Sequence, residues 1–133
     1  MSQENVEIVR AHIEAFNRLD GSAVAFFDPH VVLDMSRVTG LDFGIPYGHA
    51  AATDAIRRYI GAFEEYAYEV KQLTDLGAGA VLANVAERGR GKKSGVRVER
   101  SFTALYTVIA GKIARVTVFP NEEEALEAAG LTE

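Results

Sequence analysis

The chain has 133 residues, of which 48% are apolar and 25% charged, and its formal net charge is −5. It contains no cysteine, which excludes a disulfide, a thiolate nucleophile and a cysteine–zinc site. The histidines His12, His30 and His49 lack the spacing of a metal-binding helix, so we expect no metal and no cofactor. No apolar run reaches the ~20 residues of a membrane span, and the polar N-terminus is unlike a signal peptide. These features favour a cytoplasmic protein.

The first half of the chain is predicted to be mostly helical. Apolar residues at helical spacing predict a helix from Ser2 to Leu19, and a short apolar helix, Ser22–Phe27, follows it. Val31–Met35 is a predicted strand. Ser36–Tyr47 has no clear periodicity but is rich in apolar residues, which predicts a loop that covers a buried surface. A second long helix is predicted over His49–Glu64.

In the second half the hydrophobic period changes to that of strands. Glycine-containing turns separate four β-rich runs: Tyr66–Leu76, Ala80–Arg90, Val96–Ile109 and Ile113–Phe119. Asn121 then caps a short final helix. The order of elements predicts one α+β domain over residues 1–133, with helices packed on one face of a curved antiparallel sheet.

Three polar residues interrupt apolar patterns. Arg100 breaks the inward-facing set of the run Val96–Val108, so it either pairs with a buried partner or lies near a strand end and reaches water. His12 points close to the apolar stripe of the first helix. Asp34 interrupts the first strand, either at the sheet edge in water or in a pocket that would make it a usable base. The pattern of the run Ala80–Arg90 leaves open which of its side chains face inward.

Five segments of the sequence have a characteristic order and spacing: Val9–Asn17 with Asp20-Gly21, Ala50–Phe63, Ser94-Gly95-Val96, Gly111-Lys112-Ile113 and Glu123–Leu131. In these segments the sequence resembles the SnoaL-like branch of the NTF2-like superfamily, which also contains ketosteroid isomerases and limonene epoxide hydrolases. The resemblance implies a cystatin-like, conical α+β fold with one deep pocket, and a homodimer formed through the outer sheet face.

The resemblance also implies roles for particular residues. Asp34 falls at the position of the base that shuttles a proton next to a carbonyl in ketosteroid isomerases. His12 occupies the place of the first oxyanion donor, a tyrosine in those enzymes. Ala104 occupies the place of the second donor, which is therefore absent here.

Two hypotheses for function involve a small hydrophobic ligand. The first is an isomerase, cyclase or hydrolase with Asp34 as general base, His12 as hydrogen-bond donor or acid, and Arg100 as stabiliser of an anion or enolate. The second is a non-catalytic module that binds a hydrophobic acid or ketone, which Arg100 would grip. Six aromatic residues are expected to line the pocket: Tyr59, Phe63, Phe102 and Tyr106, with Phe43 and Tyr47 from the covering loop.

A third hypothesis is nucleic-acid or protein binding through a basic cluster. Arg88, Arg90, Lys92, Lys93, Arg97 and Arg100 supply six of the fourteen basic residues. Glycine-rich hairpin tips are commonly basic for solubility, and the net charge is negative, so a nucleic-acid partner is disfavoured.

Overall fold

The computed structural model of the protein describes residues 2–19, 21–38 and 45–130. Three α-helices, one 3₁₀ helix at Ser22–Phe26 and five strands are present in these ranges. The helices are α1 (Ser2–Asn17), α2 (Gly48–Gly61) and α3 (Glu122–Ala128), and the strands are β1 (Phe27–Asp34), β2 (Phe63–Gly77), β3 (Ala80–Gly91), β4 (Arg97–Ile109) and β5 (Lys112–Phe119).

The strands form one curved sheet in the order β1-β5-β4-β3-β2. The α+β fold is confirmed, but the sheet is mixed rather than wholly antiparallel, because β1 lies parallel to β5. The first strand is also longer than predicted, since it begins at Phe27 and contains Pro29. An edge strand tolerates proline, which has no backbone N–H to donate, and the pairing of β1 is irregular between Phe27 and Val32.

The inner face of the sheet packs against α1 and α2. The even-numbered residues of β4 from Phe102 to Val108 are buried on this face as predicted, whereas Val96 precedes the strand and is 59% exposed. In β3 the inward-facing residues include Val85 and Glu87, which answers the question left open by the sequence. The core is therefore apolar except where polar side chains of α1, β3 and β4 enter it.

The last helix packs on the opposite face of the sheet. Ala125 of α3 lies against Leu82 and Phe119, and the Asn121 side chain accepts the predicted capping bond from the Glu124 amide at 2.9 Å. Near the start of β4, the outer face of the sheet is exposed and includes Arg97 and Glu99. The homodimer expected through this face stays a prediction. Within the described ranges, no helix is long and apolar enough to cross a membrane.

Candidate functional site

A cavity of about 60 Å³ lies between the helices and the inner face of the sheet. Its walls are mostly apolar: Phe16, Phe27, Leu33, Met35, Val38, Ile56, Phe102, Val116 and Val118. Six polar side chains also line it: His12, Tyr59, Tyr66, Tyr68, Glu87 and Tyr106. Small-molecule sites typically combine apolar walls with a few convergent polar groups in this way.

Glu87 is the centre of a buried hydrogen-bond network on the cavity wall. Its Oε1 accepts from the Tyr59 hydroxyl at 2.6 Å and from Arg100 Nε at 2.8 Å, and its Oε2 accepts from the Tyr66 hydroxyl at 2.5 Å. Arg100 Nη2 also donates to the Tyr59 hydroxyl at 2.7 Å, and Nη1 donates to the Val38 carbonyl at 3.3 Å. Every nitrogen of the Arg100 guanidinium therefore has an acceptor within the protein.

The strand register explains why this network forms. Glu87 of β3 lies directly opposite Arg100 of β4, where cross-strand side chains are close enough to pair. In β2 the residues Glu65 and Tyr66 lie opposite the single residue Gly89, which is a β-bulge, and Glu65 has a φ of 54°. The bulge shifts the alternation of β2 so that Tyr66 is buried and reaches Glu87.

Charge in the network is balanced between Glu87 and Arg100. Burial acts to lower the pKa of Arg100, but the bonds with Glu87 and Tyr59 outweigh it and hold the pKa above its ordinary value. Burial, reinforced by the Glu87 charge, raises the pKa of Tyr59 and Tyr66, so both hydroxyls stay protonated. The Arg100 side chain is 35% exposed, so it both pairs with a carboxylate and reaches water, and each of its two sequence interpretations is correct in part.

His12 enters the cavity wall from α1 and is 5% exposed. Its Nδ1 lies 3.1 Å from the Ala23 carbonyl oxygen, and since a carbonyl only accepts, Nδ1 carries the proton. Burial, partly opposed by this bond, lowers the pKa of His12 to about 4. The ring is therefore neutral at pH 7 and Nε2 is an acceptor. This geometry supports an accepting role for His12 rather than the donor or acid role in the first hypothesis.

Tyr68 and Tyr106 form a second buried polar pair. Their hydroxyls are hydrogen-bonded to each other, and burial raises the pKa of both. One bond between two hydroxyls uses one proton, so the pair retains a second proton for a further acceptor. The Asn17 side chain positions Tyr68, because it accepts from the Tyr68 backbone N–H at 2.9 Å and donates to the Tyr68 carbonyl.

Asp34 is 4% exposed and is not among the described residues that line the cavity. Its carboxylate accepts from Ser36 Oγ at 2.6 Å, from the Ser36 N–H at 3.1 Å and from Arg37 Nη1 at 2.9 Å. Burial acts to raise the pKa of Asp34, but these bonds outweigh it and hold the pKa below its ordinary value. Leu33 and Met35 line the cavity, which confirms that they share a face and that Asp34 lies off it.

Only some of the aromatic residues predicted to contact a ligand are among the described residues that line the cavity. Tyr59, Phe102 and Tyr106 line the cavity. Phe63 is not among the described lining residues; it packs over Gly89, where a Cβ would lie 3.2 Å from its ring, and it contacts the rings of Tyr59 and Tyr66.

The covering loop contributes to the cavity at its start, through Val38. Tyr47, near its end, does not line the cavity: it is 62% exposed, and its hydroxyl lies 3.2 Å from His30 Nδ1. Phe43 lies in residues 39–44, outside the described part of the chain.

The sequence analysis missed Glu87, Tyr66 and Tyr68. Glu87 interrupts an apolar alternation with Val81 and Val85, which is the same signal that identified Arg100. The two tyrosines carried no such signal, since tyrosine is common in strands, and the bulge that sets their inward direction cannot be recognised from the alternation alone. Within the described residues, no group of three or more histidine, aspartate or glutamate side chains could hold a metal ion.

The comparisons with known proteins agree with this architecture. Residues 9–116 match the sequence profile of the SnoaL-like domain. The chain belongs to the SnoaL-like family. No curated protein matches the chain.

Solved structures show that this SnoaL-like protein has the NTF2-like, ketosteroid isomerase-like fold. A candidate polyketide cyclase from Xanthomonas campestris pv. campestris is 22% identical, with 95% of this chain and 96% of that chain covered and a TM-score of 0.74. A protein with a ketosteroid isomerase-like fold from Catenulispora acidiphila, in complex with trimethylamine, is 14% identical, with coverage of 95% and 94% and a TM-score of 0.75. An epoxide hydrolase of the LEH-like type from M. tuberculosis is 18% identical, with coverage of 89% and 83% and a TM-score of 0.69.

Proposed function

We propose that this SnoaL-like protein binds a small, mostly apolar, uncharged molecule with one hydroxyl or carbonyl group, inside the central cavity. The observation that supports this most directly is the pair of groups on the cavity wall that keep bonding capacity. His12 Nε2 offers an acceptor, and the Tyr68–Tyr106 pair offers one hydroxyl proton. The rings of His12 and Tyr106 are neighbours on the cavity wall, with centroids 5.8 Å apart, and we expect one ligand to contact both.

The charges in the site favour an uncharged ligand. Glu87 and Arg100 neutralise each other, and the three guanidinium nitrogens already donate to Glu87, Tyr59 and Val38. A carboxylate bound by the remaining N–H groups of Arg100 would lie beside the Glu87 carboxylate, on a wall that already carries a negative charge. The geometry therefore favours a ketone or an alcohol over the hydrophobic acid of the second hypothesis.

Tyrosine fluorescence provides a direct binding test. The protein has no tryptophan, and four of its five tyrosines line the cavity, so the emission reports its occupancy. Titration with 1-butanol is expected to give a saturable change. Tyr106→Phe is expected to weaken the affinity about fivefold, because one hydrogen bond contributes about 1 kcal/mol.

The control for this titration is Tyr47→Phe, which removes a hydroxyl outside the cavity and should leave the affinity for 1-butanol unchanged. Butane-sized hydrocarbons serve as a second comparison, since they make no hydrogen bond and their affinity should not depend on Tyr106. A linear, non-saturating response of the wild-type protein to the alcohol contradicts the proposal.

A second candidate function is catalysis with Asp34 as general base on a carbonyl compound. It is favoured by the burial of Asp34 between the cavity-lining residues Leu33 and Met35. It requires the carboxylate to be released from Ser36 and Arg37, which hold it away from the cavity.

The catalytic candidate predicts a large loss of turnover in Asp34→Asn. On a β,γ-unsaturated ketone we expect the rate to fall at least ~100-fold, the usual contribution of a general base. Asp28→Asn, at the other end of β1, is the matched control, because Asp28 accepts from the nearby His30 N–H and is not among the described residues that line the cavity. Equal turnover in Asp34→Asn and Asp28→Asn would reject the role of Asp34 as base.

A further inference from the structure

A second concave region lies beside the central cavity. It is a groove of about 410 Å³ between the end of α1, the 3₁₀ helix and the last turns of α2. Leu19, Val24, Thr53 and Ile60 contribute to its mostly apolar wall. Arg57 is the one charged side chain among the described residues that line it.

The groove and the cavity share two wall residues. Phe16 and Ile56 line both, so these two side chains separate one space from the other. Both are only partly buried, and Phe16 contacts the edges of the cavity residues Tyr66 and Tyr68 at centroid distances of 6.1 and 5.0 Å. Ile56 is an aliphatic side chain packed against the main core cluster, and a change of its rotamer would join the two spaces.

We infer that the cavity and the groove are two parts of one binding site for an elongated, uncharged amphiphile. The oxygen-bearing head lies in the cavity between His12 and the Tyr68–Tyr106 pair, and the apolar chain passes Ile56 into the groove. This inference rests on the proposed function and adds the class of ligand to it.

The sizes of the two spaces support this assignment. At about 60 Å³ the cavity has room for only a few non-hydrogen atoms, whereas sites for larger ligands usually have volumes of about 300–1,000 Å³. The groove alone falls within that range. No carboxylate is present among the described residues that line the groove, so its wall is suited to an alkyl chain rather than to a cation.

A series of primary alcohols from 1-butanol to 1-octanol tests the inference, with tyrosine fluorescence as the readout. Each methylene beyond the head is expected to strengthen binding about threefold to fourfold as it is buried in the groove. Leu19→Glu places a charge in the groove, and Thr53→Phe fills part of it without adding a tryptophan, whose emission would mask that of the tyrosines. Both variants should bind 1-butanol like the wild type but lose the dependence on chain length.

Val96→Glu is the matched control, since it also replaces an exposed aliphatic residue by glutamate, but Val96 lies just before β4 and is not among the described residues that line the groove. It should retain the wild-type series. Binding of 1-butanol without a gain for longer alcohols would overturn the inference and leave the proposed function in place. A chain-length gain that persists in both groove variants would also overturn it. Failure of every alcohol to bind would reject the proposed function, and this inference with it.

Discussion

Glu87→Ala is expected to lower the free energy of unfolding by about 3 kcal/mol, since removal of one partner from a buried ion pair typically costs this much. The substitution removes the acceptor of three hydrogen bonds and leaves the buried hydroxyl protons of Tyr59 and Tyr66 without this acceptor. For a chain of this length, a loss of that size corresponds to a decrease in Tm of roughly 10 °C. Chemical denaturation followed by circular dichroism measures it.

Glu69→Ala is the matched control, because Glu69 is an exposed carboxylate on the neighbouring strand, 3.4 Å from Lys71. An exposed ion pair contributes about 0–1 kcal/mol, so this variant should unfold close to the wild type. Glu87→Gln tests the contribution of the negative charge. Glutamine keeps the shape of the side chain, but it replaces a carboxylate oxygen that accepts hydrogen bonds by an amide nitrogen that donates them. If Glu87→Ala and Glu69→Ala unfold at the same denaturant concentration, the network does not stabilise the fold.

Stability is also expected to decrease by up to about 3 kcal/mol between pH 6.5 and pH 4 because of His12 alone. Burial lowers the pKa of His12 in the folded protein from 6.5 to about 4. In this range the unfolded chain binds the proton more readily than the folded one, so stability is lost as the pH falls. Above pH 6.5 the histidine is neutral in both the folded and the unfolded state, so His12 causes no change of stability with pH there.

His12→Gln separates this effect from those of other groups. Glutamine does not titrate, but its amide can still donate to the Ala23 carbonyl, so the stability of the variant should vary less between pH 6.5 and pH 4. His30→Gln, an exposed histidine, should follow the wild-type curve. Asp34 loses its contribution at lower pH, because its pKa lies below 3.8 in the folded state. Parallel curves for the wild type and His12→Gln would contradict the prediction.

Periodic patterns were sufficient to predict most of the elements and the inward direction of two polar side chains, one that lines the cavity and one that belongs to the hydrogen-bond network beside it. The spacing of Val9, Ile13 and Phe16 predicted α1 and placed His12 on its buried stripe, and alternation in β4 placed Arg100 on the inner face. These predictions hold because the direction of a side chain on a regular helix or strand depends only on local geometry. The same reasoning applied to β3 would have identified Glu87.

The sequence by itself therefore determined the fold class and the inward direction of His12 and Arg100, which follow from periods of 3.6 and 2 residues. It also determined the SnoaL-like resemblance, which rests on particular segments such as Val9–Asn17 and Glu123–Leu131. Only the tertiary structure decided the partners of these groups. The pairing of Glu87 with Arg100 depends on the register between β3 and β4, and Tyr66 reaches them because a bulge interrupts β2. Asp34 is held by Ser36 and Arg37 because the chain turns there. Such contacts depend on register, bulges and loop geometry, which no local pattern encodes.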